Sequence, residues 1–103
     1  MPKKDLTNKN LKSELLDVLV IASQSKQLLD ALLVDLLTPT EFRELTNRWQ
    51  IIKQLEQGTS HREISRDLRV GLSTVNRGVR MLENPTGGFN QVLRQLLRKF
   101  SKN

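Results

Sequence analysis

Apolar residues recur every three or four positions along most of this chain, and that spacing predicts helices throughout. From Leu11 the series Leu15, Leu16, Leu19, Val20 and then Leu28, Leu29, Leu32, Leu33, Leu36 forms a long apolar stripe. The polar group Ser23-Gln24-Ser25-Lys26 marks a bend or a break between two helices. The stripe is wide for so short a chain. A second subunit covering it is the simplest account, an ordinary monomer core the plainer one.

Thr38-Pro39-Thr40-Glu41 is a helix start. Thr38 can cap free backbone N–H groups, Pro39 suits the first helical position, and Glu41 completes a capping box. The helix is expected to run to about Gln57, with Phe42, Leu45, Trp49, Ile52 and Leu55 or near neighbours inward and Gly58 as its stop.

Ser60-His61-Arg62-Glu63 repeats the capping-box pattern and opens a short helix with Ile64 and Leu68 on its inner face. Gly71 is expected in the turn that follows. Val75, Val79 and Leu82 then set the buried side of a helix from about Leu72 to Glu83, ended by Asn84-Pro85. Gly87-Gly88 reads as a flexible joint before a last helix, Phe89 to about Phe100, with Val92, Leu93, Leu96 and Leu97 inward. Residues 1–10 read as a flexible arm and residues 11–103 as a single helical domain. The fold class is all-α.

Charge sharpens the picture. The chain has 103 residues and a formal net charge of +6. Positive and negative charges cancel before residue 60, so the whole excess lies from Ser60 onward. A polyanionic partner is the natural reading. Two short helices around a tight turn at residues 60–82, with arginines outside, form the pattern of a helix-turn-helix that places its second helix in the DNA major groove. Leu72, Asn76 and Arg80 share one stripe. Asn76 can pair with adenine and an arginine with guanine, while Leu72 or Ser73 can meet a thymine methyl or a polar base edge. Arg62 can reach a base or a phosphate. Arg66 and Arg69 suit phosphates, which position without specifying. Thr74 falls within the same group of DNA-facing candidates. In such units the turn position occupied by Arg69 usually holds glycine, so Arg69 is expected to adopt a left-handed backbone.

Other chemistries find little support. The chain lacks cysteine, and its single histidine, His61, has no cluster of ligands around it, so no metal site is expected. No nucleophile–base arrangement or phosphate loop is evident, and an enzyme is not expected. Asp17, Lys26, Asp30 and Asp35 interrupt the leucine-rich stretch, which argues against a membrane span; with no signal peptide visible, a cytoplasmic protein is expected. Trp49, the single tryptophan, reads as core or interface packing.

Three segments, LLTPTE at Leu36–Glu41, NRWQIIKQLEQG at Asn47–Gly58 and SHREISRDLRVGLSTVNRGVRML at Ser60–Leu82, together resemble the Trp repressor family in order and spacing. The resemblance implies an intertwined helical homodimer that binds palindromic operator DNA, with L-tryptophan as a corepressor. By position it implies a ligand between Arg48 and Arg77, beside Gly78, with Thr38 and the carbonyl of Leu37 supplied by the other subunit. A serine that helps hold the ligand's amino group in the family is matched here by Met81. The expected function is therefore a DNA-binding transcriptional regulator, a repressor, with an amino-acid corepressor. Two alternatives stay open: a ligand-independent helix-turn-helix protein, and a basic helical module that meets an acidic protein.

Overall fold

The computed structural model describes residues 7–101 and contains six helices among them: α1 (Asn8–Ala22), α2 (Lys26–Leu36), α3 (Pro39–Glu56), α4 (His61–Leu68), α5 (Leu72–Leu82) and α6 (Gly88–Ser101). No strand occurs among the described residues. The helix α1 starts at Asn8, where Thr7 caps it by accepting from the Asn10 N–H. Residues 8–10, read as arm, thus belong to α1, and residues 1–6 lie outside the described part. No described helix is long and apolar enough to cross a membrane.

The chain divides into two compact units, one ending at Phe42 and one beginning at Arg43. In the first, α1 packs on α2. Ser25 caps α2 by accepting from the Leu28 N–H, which explains the break after Ala22. Ala22 is the one residue buried in this unit among those described. Val20, Ile21 and Val34 stay 67%, 58% and 56% exposed, so the apolar stripe is left mostly open by its own chain. At the start of α3 the capping box closes in both directions. The Thr38 N–H donates to Glu41 Oε1 at 2.9 Å, and the Glu41 N–H donates to Thr38 Oγ1 at 3.2 Å. These bonds to Thr38 hold the Glu41 carboxyl below its ordinary pKa, the backbone bond contributing most.

The second unit is built on Ile51 of α3, Ile64 of α4 and Val75 of α5, all fully buried, with Leu55, Leu68 and Val70 packed around them. The inward face of α3 departs from the expected one at Leu45 alone. Ile51 and Ile52 are buried, Phe42, Trp49 and Leu55 are half-buried, and Leu45 is exposed. The row Ile51–Leu55 meets α5, because Gly78 lets that helix come close. Leu45 and Trp49 lie on a neighbouring row that faces a cavity.

Ser60 caps α4 by accepting from the Glu63 N–H at 3.2 Å. Arg69 ends α4 in the left-handed region at φ 56, ψ 46. Gly71 takes an ordinary extended conformation as the N-cap of α5, so the turn spends its left-handed position on arginine and not on its glycine. The turn is closed by Ser65, whose hydroxyl donates to the Val70 carbonyl at 2.6 Å, and by the Val70 N–H donating to the Ser65 carbonyl. Ile64 and Val75 then hold α4 against α5.

The segment after α5 is tied rather than loose. Gly87 N–H donates to the Asn84 carbonyl, Asn90 Nδ2 donates to the carbonyls of Leu82 and Asn84, Gln91 Nε2 to that of Thr86, and Arg94 Nη1 to that of Pro85. The Gly87-Gly88 joint is therefore held by side chains of the helix it precedes. Among the described residues of α6, Leu93 is buried and Phe89, Asn90 and Leu96 are half-buried, while Val92 and Leu97, expected inward, are exposed in the single chain.

Candidate nucleic-acid interface and adjoining cavity

Burial of Val75 and Gly78 fixes the orientation of α5 and gives it two further faces. Leu72, Ser73, Asn76 and Arg80 form an open, exposed face. Leu72 is 48% exposed, a large apolar side chain at the first turn of the helix with water as its neighbour. The other face carries Thr74, Arg77, Gly78 and Met81 at helical spacing i, i+3, i+4, i+7, and it lines a cavity of about 290 Å³. Thr74, grouped by sequence with the DNA-facing residues, is half-buried and belongs to this second face.

On the α4 side, Arg62, Arg66 and Arg69 are all exposed. Arg66 Nε pairs with Asp67 Oδ1 at 3.2 Å, both side chains being well exposed. Such a pair is weak and leaves the guanidinium available to a stronger anion. The exposed cations of α4, its turn and α5 thus flank one apolar-to-amide strip, Leu72 to Asn76.

The cavity lies between α3 and α5 and is bounded by the first turn of α6. From α3 come Leu45, Arg48, Trp49, Ile51 and Ile52, and from α6 comes Phe89. Trp49 and Phe89 face each other with ring centroids 6.5 Å apart and planes tilted by 30°. Arg48, Arg77, Gly78 and Met81, proposed by resemblance as one ligand site, are thereby brought to one cavity. Thr38 and Leu37 belong to the first compact unit, where Thr38 serves as the cap of α3. The aromatic wall of Trp49 and Phe89 was not anticipated. The spacing of Leu45, Arg48, Trp49 and Ile52 on one side of α3 carried that signal, whereas nothing local marked Phe89.

A second, more polar cleft of about 270 Å³ lies on the other side of Arg48 and Thr74, lined also by Glu44, Asn47, Val70 and Gly71. Among the described residues no group of His, Cys, Asp and Glu is placed to hold a metal ion.

Comparison with known proteins matches residues 9–97 to the family model described as Trp repressor protein. That range extends beyond the three resembling segments into α1 and α6. Among curated relatives, the Trp operon repressor homolog of Vibrio cholerae serotype O1 is 38% identical over 85 residues, covering 82% of each chain. The homolog of Vibrio parahaemolyticus serotype O3:K6 is 34% identical over 85 residues, again 82% of each chain. That of Aliivibrio fischeri is 41% identical over 73 residues, 70% of this chain and 68% of the relative. No solved structure matches the chain.

Proposed function

Because the chain belongs to the Trp repressor family, we propose that it is a transcriptional repressor that binds palindromic operator DNA as a homodimer. Residues 60–82 act as its helix-turn-helix, with α5 entering the major groove. One observation carries this reading: α5 is anchored by Val75 and Gly78 while Leu72, Ser73, Asn76 and Arg80 stay exposed beside the cations of α4 and its turn. Leu72, Ser73 and Asn76 read bases, with Arg62 assisting. Arg66, Arg69 and Arg80 hold phosphates. The exposed apolar residues of α1 and α2 support a second copy as their cover. A corepressor of the amino-acid class, L-tryptophan first among candidates, sits between Arg48 and Arg77. Leu37 and Thr38 of a second subunit edge the site.

The test is selection of bound sequences from a random DNA pool, repeated with Asn76→Ala and Arg62→Ala. Loss of a reading contact costs about 1–3 kcal/mol and relaxes preference at one position, while loss of a phosphate contact weakens all sequences alike. If both variants keep the parent's preference and lose only overall affinity, base reading by this surface is wrong. A chain that binds every sequence equally, with a steep salt dependence, belongs instead to the class of non-specific basic modules.

A further inference from the structure

The last helix carries charge of one sign. From Asn84 to Asn103 the sequence holds Arg94, Arg98, Lys99 and Lys102, and no aspartate or glutamate. Burial of Leu93, with Phe89, Asn90 and Leu96 half-buried, leaves Arg94, Arg98 and Lys99 on the open side of α6, all three exposed. Arg94 and Arg98 stand one turn apart, an arrangement of like charges that weakens an isolated helix. In α4 an acid, Asp67, sits beside the exposed Arg66. In α6 the positions one turn before each arginine are neutral amides, Gln91 and Gln95. A cationic last turn complements the helix dipole, which accounts for Arg98 and Lys99. It does not account for Arg94, in the middle of the helix. Arg94 is also held in place, its Nη1 donating to the Pro85 carbonyl at 2.9 Å. A carbonyl fixes the guanidinium without cancelling its charge, and further N–H donors remain for an anion.

We propose that α6 is a second, sequence-independent DNA contact, in which Arg94, Arg98 and Lys99 hold backbone phosphates outside the base pairs that α5 reads. This rests on the reading of residues 60–82 as a helix-turn-helix. The helix α6 starts where α5 ends, is joined to it through Asn90, and lies in the same compact unit as α4 and α5. At about 1.5 Å per residue, Arg94 and Lys99 stand about 6 and 14 Å beyond Asn90 along α6. The reading residues Leu72, Ser73 and Asn76 lie in the N-terminal half of α5, so the cations of α6 fall beyond the opposite end of that helix. The positive excess that begins at Ser60 thus runs on through α6. A duplex presents a line of anions to such a row of cations. Val92 and Leu97 are exposed on the same helix, and apolar residues beside cations also suit an anionic membrane surface, which is the rival partner.

Salt titrations of DNA binding by the full chain test the proposal. The probes are a duplex that ends at the selected operator and one longer by a helical turn, about ten base pairs, at each end. The parent is expected to bind the longer duplex more tightly and with the steeper salt slope. In the double variant Arg98→Gln, Lys99→Gln that slope is expected to fall by about 0.9 for each lost contact, about 1.8 per bound chain, with sequence preference unchanged. Arg98→Lys keeps the charge and is expected to keep the slope. Arg43→Gln with Lys53→Gln removes two exposed charges from α3 and is expected to change the slope little. Parent-like slopes in the α6 double variant overturn the proposal. So does an equal fall in the α3 variant, which would mark a general field, or a fall in Arg98→Lys, which would mark a structural contact. A double variant that keeps its DNA slope but loses binding to phosphatidylglycerol vesicles assigns the helix to a membrane and overturns the proposal too. A parent chain that selects no operator sinks the helix-turn-helix reading itself, whereas failure of α6 alone leaves operator selection intact.

Discussion

Gly78 and Ile51 meet where α5 crosses α3, so closely that a Cβ on Gly78 would lie 2.7 Å from Ile51 Cγ2. Leu55 Cδ1 would be at 3.4 Å and Ile52 Cδ1 at 3.6 Å. The glycine that borders the cavity is thus also the contact that lets the α3–α4–α5 core close. Alanine gains about 1 kcal/mol of helix propensity over glycine. Here overpacking against the buried Ile51 opposes it at about 1–3 kcal/mol. Gly78→Ala is expected to be net destabilising in urea melts. Gly88→Ala, with nothing near its Cβ, is expected to be neutral or stabilising and serves as the control.

Arg69 carries two roles that one pair of substitutions separates. Its left-handed backbone is costly for an L-residue, by about 1–2 kcal/mol, and free of that strain for glycine. Its exposed guanidinium stands beside the proposed DNA surface. Arg69→Gly is expected to raise stability by up to about 1 kcal/mol while lowering DNA affinity and the salt slope by about one ion. Arg69→Ala is expected to lower affinity alike without the gain in stability. Equal melting midpoints for the two variants would remove the backbone account.

What was legible in the sequence was local. Thr38–Glu41 and Ser60–Glu63 announce helix starts because the cap and its partner are three residues apart. The left-handed turn at Arg69 was readable from its place at the turn position that usually holds glycine in a helix-turn-helix. The inner face of α3 was legible only to within a neighbouring position. Leu45, Trp49 and Ile52 satisfy helical periodicity as well as Ile51 and Leu55 do, and which row meets α5 depends on the missing side chain of Gly78. The cavity's aromatic wall joins Trp49 to Phe89, which no local pattern relates. Val92 and Leu97 share the period of Leu93 and Leu96, yet the single chain covers only the latter pair.

Glu41 gives the start of α3 a pH signature of definite sign. Its carboxyl is held below the ordinary value of 4.5 by its bonds to Thr38. A group with a lowered folded pKa contributes stability that is full above its unfolded pKa and is lost as pH falls through the folded one. Glu41→Gln keeps a side chain able to accept from the Thr38 N–H but cannot titrate. Between neutral pH and pH 3 its loss of stability is expected to be shallower than that of the parent. Parallel stability-versus-pH curves from denaturant melts would show that Glu41 is not responsible.

Asn90 joins the end of α5 to the start of α6 with one amide group. Its Nδ2 donates to the Leu82 carbonyl at 3.0 Å and to the Asn84 carbonyl at 2.8 Å. The Leu82 carbonyl is among the last of α5, where no helical N–H follows to take it up. Removing the amide leaves both carbonyls to water, and the Leu82 contact is partly buried. Asn90→Ala is expected to cost about 1–3 kcal/mol. The consequence reaches the cavity, because Phe89 beside Asn90 supplies part of its wall and stacks near Trp49. Fluorescence of Trp49, the single tryptophan, is therefore expected to change in Asn90→Ala under fully folding conditions. The conservative Asn90→Asp keeps the shape but removes the donor, and it is expected to match alanine. An aspartate variant with parent-like stability and fluorescence would show that packing, and not these two hydrogen bonds, holds α6 in place.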